Sequence, residues 1–189
     1  MDLLMPLKTN FAAKPTLVGE LVLLQPVETA DAAYLLAIDP ETQRLTGTRL
    51  DARFTVESQE AWYATRAEHD DRLDLSIIER ATGERAGEVV LMELSVPNES
   101  CAFRIHLQEP RFYGRGLGSE ATRLIIDYAF TVVGVHRIEL EVYDFNPRAR
   151  RVYEKVGFVH EGTKRDALRW DGEWVDCHCM GLLERDWRR

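Results

Sequence analysis

Arg111-Phe-Tyr-Gly114-Arg-Gly116-Leu-Gly118-Ser119-Glu120 lies between a strand-like run and a long amphipathic run. Its alternating glycines let the backbone curl without Cβ clashes, so successive N–H groups converge on one anion at the positive end of the helix that follows. The pattern predicts a diphosphate cradle for a nucleotide-bearing cofactor. A P-loop is excluded, because Gly116 is followed by Leu-Gly-Ser with no lysine. A dinucleotide fingerprint also fits badly: Ser119 stands where the third glycine belongs, although Glu139 or Glu141 would serve as its ribose-binding acid.

Upstream, Ser100 to Leu107 alternates Cys101, Phe103, Ile105 and Leu107 with Ala102, Arg104 and His106, which predicts a strand. Downstream, Ala121, Leu124, Ile125, Tyr128, Ala129 and Val132 recur at threes and fours, so Ser119 to Val133 reads as a helix ended by Gly134. Arg137 to Tyr143 is a second strand. Strand, loop, helix and strand form a crossover, which places the two strands parallel. Pro147 opens a short helix through Lys155, Gly157 stops it, and Phe158 to Leu168 with Glu173 to Leu183 read as a terminal hairpin around Trp170-Asp171-Gly172.

Toward the N-terminus, residues 1–18 read as an extended arm with Pro6 and Pro15, and structure is expected to begin at Gly19, giving one domain over 19–189. Glu20 to Gln25 predicts a strand, residues 29 to 38 a helix, Pro40 to Phe54 an irregular stretch, and Val56 to Glu68 a second helix with Trp62 on its apolar face. Leu73 to Glu79 and Gly87 to Ser95 predict a hairpin of strands turning at Ala81-Thr-Gly-Glu84.

The 189 residues are 45% hydrophobic and 30% charged, a globular composition. A net charge of −8 argues against nucleic-acid binding, and no aliphatic run is long enough to span a membrane. With no leader-like N-terminus, the expected location is cytoplasmic. Three cysteines make no disulfide framework. Cys177-His178-Cys179 has no second ligand pair, and His178 would point away from both cysteines on a strand, so no metal is expected. Charge is uneven: Glu57 to Asp74 holds six acids against two arginines, while Arg148, Arg150, Arg151 and Lys155 crowd one short helix. That basic helix suits a phosphorylated ligand or a solvated face alike.

Arg111-x-x-Gly114-x-Gly116 after a strand, followed by Asn146-Pro-x-Ala149-x-x-x-Tyr153-x-x-x-Gly157-Phe158, resembles the GNAT superfamily of acyl-CoA-dependent N-acetyltransferases. The similarity runs from about Gly19 to the C-terminus. It is nearest to the branch containing ribosomal-protein alanine acetyltransferases and spermidine acetyltransferases. The resemblance implies an α+β fold: a mixed, mostly antiparallel sheet flanked by helices, whose fourth and fifth strands, Ser100 to Leu107 and Arg137 to Tyr143, run parallel and splay apart. Acetyl-CoA would lie in the splay, against Ile105, His106 and Leu107. Its diphosphate would meet Arg111, Phe112, Tyr113, Gly114, Arg115, Gly116, Leu117, Gly118 and Ser119. Asn146 matches the family's cofactor-contacting asparagine, and Arg150, with Arg148 and Arg151, is a candidate for the ribose phosphate.

Tyr153 matches the family tyrosine near the thioester sulfur. A phenol can supply a proton to a departing thiolate, so it is the expected general acid. Many relatives carry a glutamate at the position of Ala102. With that group missing, Glu93 or His106 is the substitute base. Trp62, Glu93 and Arg104 are candidate acceptor contacts. The implied activity is acetyl transfer by direct attack of a primary amine: a protein N-terminus, a polyamine or an aminoglycoside-type amine. The acidic stretch from Glu57 to Asp74 favours a cationic acceptor. The competing reading is a non-catalytic acyl-CoA sensor or protein-interaction module. Homodimers are common among proteins of this kind, and the sequence leaves the assembly open.

Overall fold

The structure, a computed structural model, describes residues 10–187. Most of the expected arm, residues 1–9, lies outside them. Strands β1 (Leu17–Val18), β2 (Val22–Pro26), β3 (Leu73–Glu79), β4 (Arg85–Ser95), β5 (Ser100–Leu107), β6 (Arg137–Tyr143), β7 (Val159–Trp170) and β8 (Glu173–Leu183) form one sheet, ordered β1-β2-β3-β4-β5-β6-β8-β7. Every neighbouring pair is antiparallel except β5 and β6. The helices are α1 (Ala32–Leu36), α2 (Pro40–Thr46), α3 (Val56–Ala64), α4 (Leu117–Tyr128), α5 (Pro147–Val156) and α6 (Glu184–Trp187). The mixed α+β architecture matches the expected one. Among the described residues no helix is long and apolar enough to cross a membrane.

Period-two alternation explains how the central strands face. Leu73, Leu75 and Ile77 of β3 are fully buried, and Val89 and Leu91 of β4 join them on the face that receives Ala121, Ile125 and Ile126 of α4. Each such side chain contributes roughly 1.5–3 kcal/mol by leaving water. The opposite face is polar but equally covered. There Tyr63 donates a 2.6 Å hydrogen bond to Glu88, and Arg85 donates to the same carboxylate at 2.9 Å. Arg85 also donates to the Asp31 carbonyl at 2.9 Å, while Ser76 donates to the Asp31 carboxylate at 2.8 Å. Burial raises the pKa of both Glu88 and Tyr63. This network seats α3 and the turn at Thr29–Asp31 over the sheet.

Order begins earlier than Gly19. Phe11 is fully buried, and Lys14 donates to the carbonyls of Phe11, His69 and Arg72. Gly19 itself permits a close approach: the Glu120 carboxylate accepts the N–H groups of Glu20, Leu21 and Val22, and a Cβ on Gly19 would stand 2.4 Å from its Oε2. The stretch after Pro40, expected to be irregular, starts with a helix. Asp39 caps α2 by accepting from the Glu41 N–H at 2.8 Å, Pro40 occupies its first turn, and Gly47 ends it at φ 65°.

Candidate active site

The parallel seam between β5 and β6 holds only at Ser100, Cys101 and Ala102, opposite Arg137, Ile138 and Glu139. Beyond Ala102 the two strands part. The Gln108 N–H bonds to Ala86 of β4, so residues 104 and 106 also turn their peptide groups to β4, while Phe103, Ile105 and Leu107 turn theirs into the gap. Thr42 of α2 donates to the Leu107 carbonyl at 3.0 Å and receives a hydrogen bond from Tyr113.

Two cavities open along this gap and share Leu45, Thr46, Ile105, Asn146 and Tyr153. The first, about 320 Å³, lies between the N-terminal ends of α4 and α5. Gly114 and Gly116, at φ 71° and 84°, carry the chain into α4. Gly116 is the N-cap and supplies no side-chain bond, so the first-turn N–H groups of residues 117–119 have no intrahelical partner and border the cavity. Ile105, Leu107, Phe112, Leu117, Ala149 and Val152 supply apolar wall. The Arg148 guanidinium lies 3.7 Å from the centre of the Tyr113 ring at its edge.

Most of the expected cofactor residues border this cavity, but three arginines do not. Arg111 pairs with Glu84 at 2.8 Å and Glu109 at 2.6 Å, which raises its pKa. Arg115 pairs with the buried carboxylate of Glu79 on β3. Arg150 bonds to Glu154 and His178, because two residues along a helix turn a side chain about 200° away from Arg148. Positive character therefore comes from backbone amides and Arg148. Asn146 caps α5, its Oδ1 accepting the Ala149 N–H at 3.1 Å, and donates to the Leu45 carbonyl at 3.1 Å.

The second cavity, about 630 Å³, opens on the other side of Tyr153. Glu93, Ala102 and Arg104 all border it. A bulge between Met92 and Ser95 puts Glu93 at φ 57°, outside the β4–β5 ladder. Trp62 borders neither cavity: the guanidinium groups of Arg66 and Arg72 lie against its ring, 3.9 and 5.0 Å from the ring centre. No residue of the acidic stretch from Glu57 to Asp74 borders either cavity, and Asp74 is buried against Arg72 at 2.5 Å. On α3 the buried residues are Gln59 and Tyr63, and Tyr63 makes the contact with Glu88 of β4.

Tyr153, buried against Phe103 and Phe158 at ring-centre distances of 5.9 and 6.0 Å, borders both cavities. Burial raises its pKa, so the hydroxyl keeps its proton. Among the described residues, that hydroxyl has no hydrogen-bond partner. His106 borders the first cavity, and its pKa is pushed down to about 3 by burial and by the charges of Arg104 and Arg85.

The parted parallel seam and the uncapped helix N-terminus beside it suit an extended ligand with an anionic end, and the protonated phenol where the two cavities meet suits a group-transfer enzyme. The match of residues 21–159 to the model of the acetyltransferase (GNAT) domain shows that the chain belongs to this family of amine N-acetyltransferases. It is 30% identical over 175 residues to the "Probable N-acetyltransferase YjcK" of Bacillus subtilis, covering 89% of this chain and 97% of that one. It is 29% identical to the spermidine N(1)-acetyltransferase of Escherichia coli K12, covering 88% of each chain. In fold it is similar to the spermidine N-acetyltransferase from Vibrio cholerae in complex with CoA and spermine, with a TM-score of 0.81 and 22% identity over 90% of this chain and all of the other.

Acetyl-CoA, the family's donor, fits the residues present. Unpaired peptide groups of β5 suit an extended pantetheine arm, the apolar wall suits its methylenes and methyls, and the free amides of α4 suit a diphosphate. Thr42, Leu45 and Thr46 were not expected here. They arrive on α2, whose Asp-Pro-Glu start and Gly end were the available signal.

Proposed function

We propose that the first cavity holds the donor, that the second holds a small primary amine, and that the amine attacks directly across Tyr153. The observation that carries this reading is the meeting of the two cavities at that residue. Bound acetyl-CoA supplies an acetyl group activated as a thioester.

Glu93 takes one proton from the acceptor ammonium and passes it to solvent. His106 is unsuited to that step, because a pKa of about 3 leaves it too weak a base. N–H groups of β5 that face the gap beyond Ala102 polarise the carbonyl, a contact typically worth about 3 kcal/mol. As the N–C bond forms and the C–S bond breaks, Tyr153 gives its proton to the departing sulfur and recovers the second amine proton. One proton is released per turnover.

Thiol release measured across a panel of primary amines, with products read by mass spectrometry and donor affinity by isothermal titration, tests the reading. Donor binding with no release from any amine overturns it in favour of a sensor.

A further inference from the structure

Seven charged side chains border the second cavity: Glu93, Glu139, Glu141, Glu161, Arg104, Arg137 and Lys164. Five of them pair among themselves, three carboxylates on two cations, which leaves one excess negative charge. Arg137 bonds to Glu139 at 3.2 Å and to Glu161 at 2.5 Å, and Lys164 pairs with Glu141. Two remain. Among the described residues, Glu93 makes no ion pair or hydrogen bond, and Arg104 makes no ion pair, its guanidinium donating only to the Thr48 hydroxyl at 2.6 Å. Thr48 also accepts from the Thr46 hydroxyl at 2.8 Å, so the Arg104 cation is hydrogen-bonded without being neutralised.

These two charges flank one small residue. Met92, immediately before Glu93, stands across the ladder from Ala102, and Arg104 follows Ala102 on the same face of β5, about 7 Å along the strand. Tyr153 borders the same cavity, and the Arg104 charge reaches its hydroxyl. A ligand here meets one free anion and one free cation beside the reacting end of the gap.

We infer that the acceptor is a zwitterionic small amine of the α-amino-acid type, its ammonium against Glu93 and its carboxylate on Arg104. The inference rests on the amine-acetylation reading above. A polyamine brings a second ammonium, which Arg104 repels, and three of the four carboxylates are already engaged by Arg137 and Lys164. A guanidinium and a carboxylate make a charge-assisted, two-pronged contact, so removing either partner is felt strongly.

The test is thiol release by the full chain with acetyl-CoA and three acceptor sets: free L-amino acids, the carboxamides of the same amino acids, and spermidine with an alanyl peptide. Free amino acids are expected to exceed their carboxamides by at least about tenfold in kcat/KM. Arg104→Gln is expected to erase that preference, bringing the kcat/KM ratio of free amino acids over their carboxamides to about one, with the loss carried by KM for the amino acids. Isothermal titration of amino acids into the CoA-bound protein should show the same loss, and a thermal melt checks that Arg104→Gln is folded. Better turnover of carboxamides, spermidine or peptide than of every free amino acid overturns the zwitterion and leaves amine acetylation standing. Release from no acceptor at all overturns both.

Discussion

Met92 faces Ala102 directly across the β4–β5 ladder, and the residue after Met92 leaves that ladder at φ 57°. A left-handed bulge thus brings a carboxylate to the wall where Ala102 offers only a methyl group. Glu93→Gln is expected to lower kcat/KM about a hundredfold. Glu93→Gly relieves the left-handed strain, so its melting temperature should match or exceed that of the parent while activity falls as far. Equal activity of either variant and the parent would remove Glu93 from the reaction.

Tyr153→Phe keeps the ring packed against Phe103 and Phe158 and removes only the hydroxyl. The expected result is a kcat at least about tenfold lower with donor affinity nearly unchanged. Single-turnover kinetics and isothermal titration read the two quantities separately. A parental rate would leave Tyr153 as a packing residue.

Gly116 turns the chain into α4 at φ 84°, and a Cβ there would lie 3.0 Å from Leu21 Cδ1. Gly116→Val forces a branched side chain into left-handed backbone and reorients the first-turn amides. Titration with CoA should show affinity lowered by at least about tenfold. Retained affinity would count against the cradle.

His106 gives a stability test. Its folded pKa, about 3, lies below the ordinary 6.5, so the folded chain refuses a proton that the unfolded chain accepts. Stability is fully present above about 6.5 and is lost as pH falls toward 3, by about 2 kcal/mol at pH 5. His106→Gln should remove that share of the slope in denaturant titrations at pH 7 and pH 5. An unchanged slope would show that His106 titrates normally in the fold.

The strands were legible because Cys101, Phe103, Ile105 and Leu107 alternate cleanly, and the crossover because one amphipathic run separates two such strands. The cradle was legible because glycines mark unusual backbone, and Gly114 and Gly116 are indeed at positive φ. Side-chain direction was not. Arg111, Arg115 and Arg150 read as ligands by charge and position, but their partners, Glu84, Glu79 and Glu154, are fixed by tertiary geometry and, for Arg150, by the turn of the helix. Long-range encounters were equally hidden: nothing local shows that Thr42 meets Leu107, or that Arg85 joins Asp31 to Glu88.

The seam between β5 and β6 amounts to three residue pairs, and α2 packs on both of these strands. In the proposed placement, a donor lying along the open edge would act as a temporary strand and bridge the gap. Binding and cohesion then share one free energy, with about 2.7 kcal/mol added at a donor concentration of 100 Kd. A simple melting curve becomes a gauge of donor occupancy that works before any acceptor has been found.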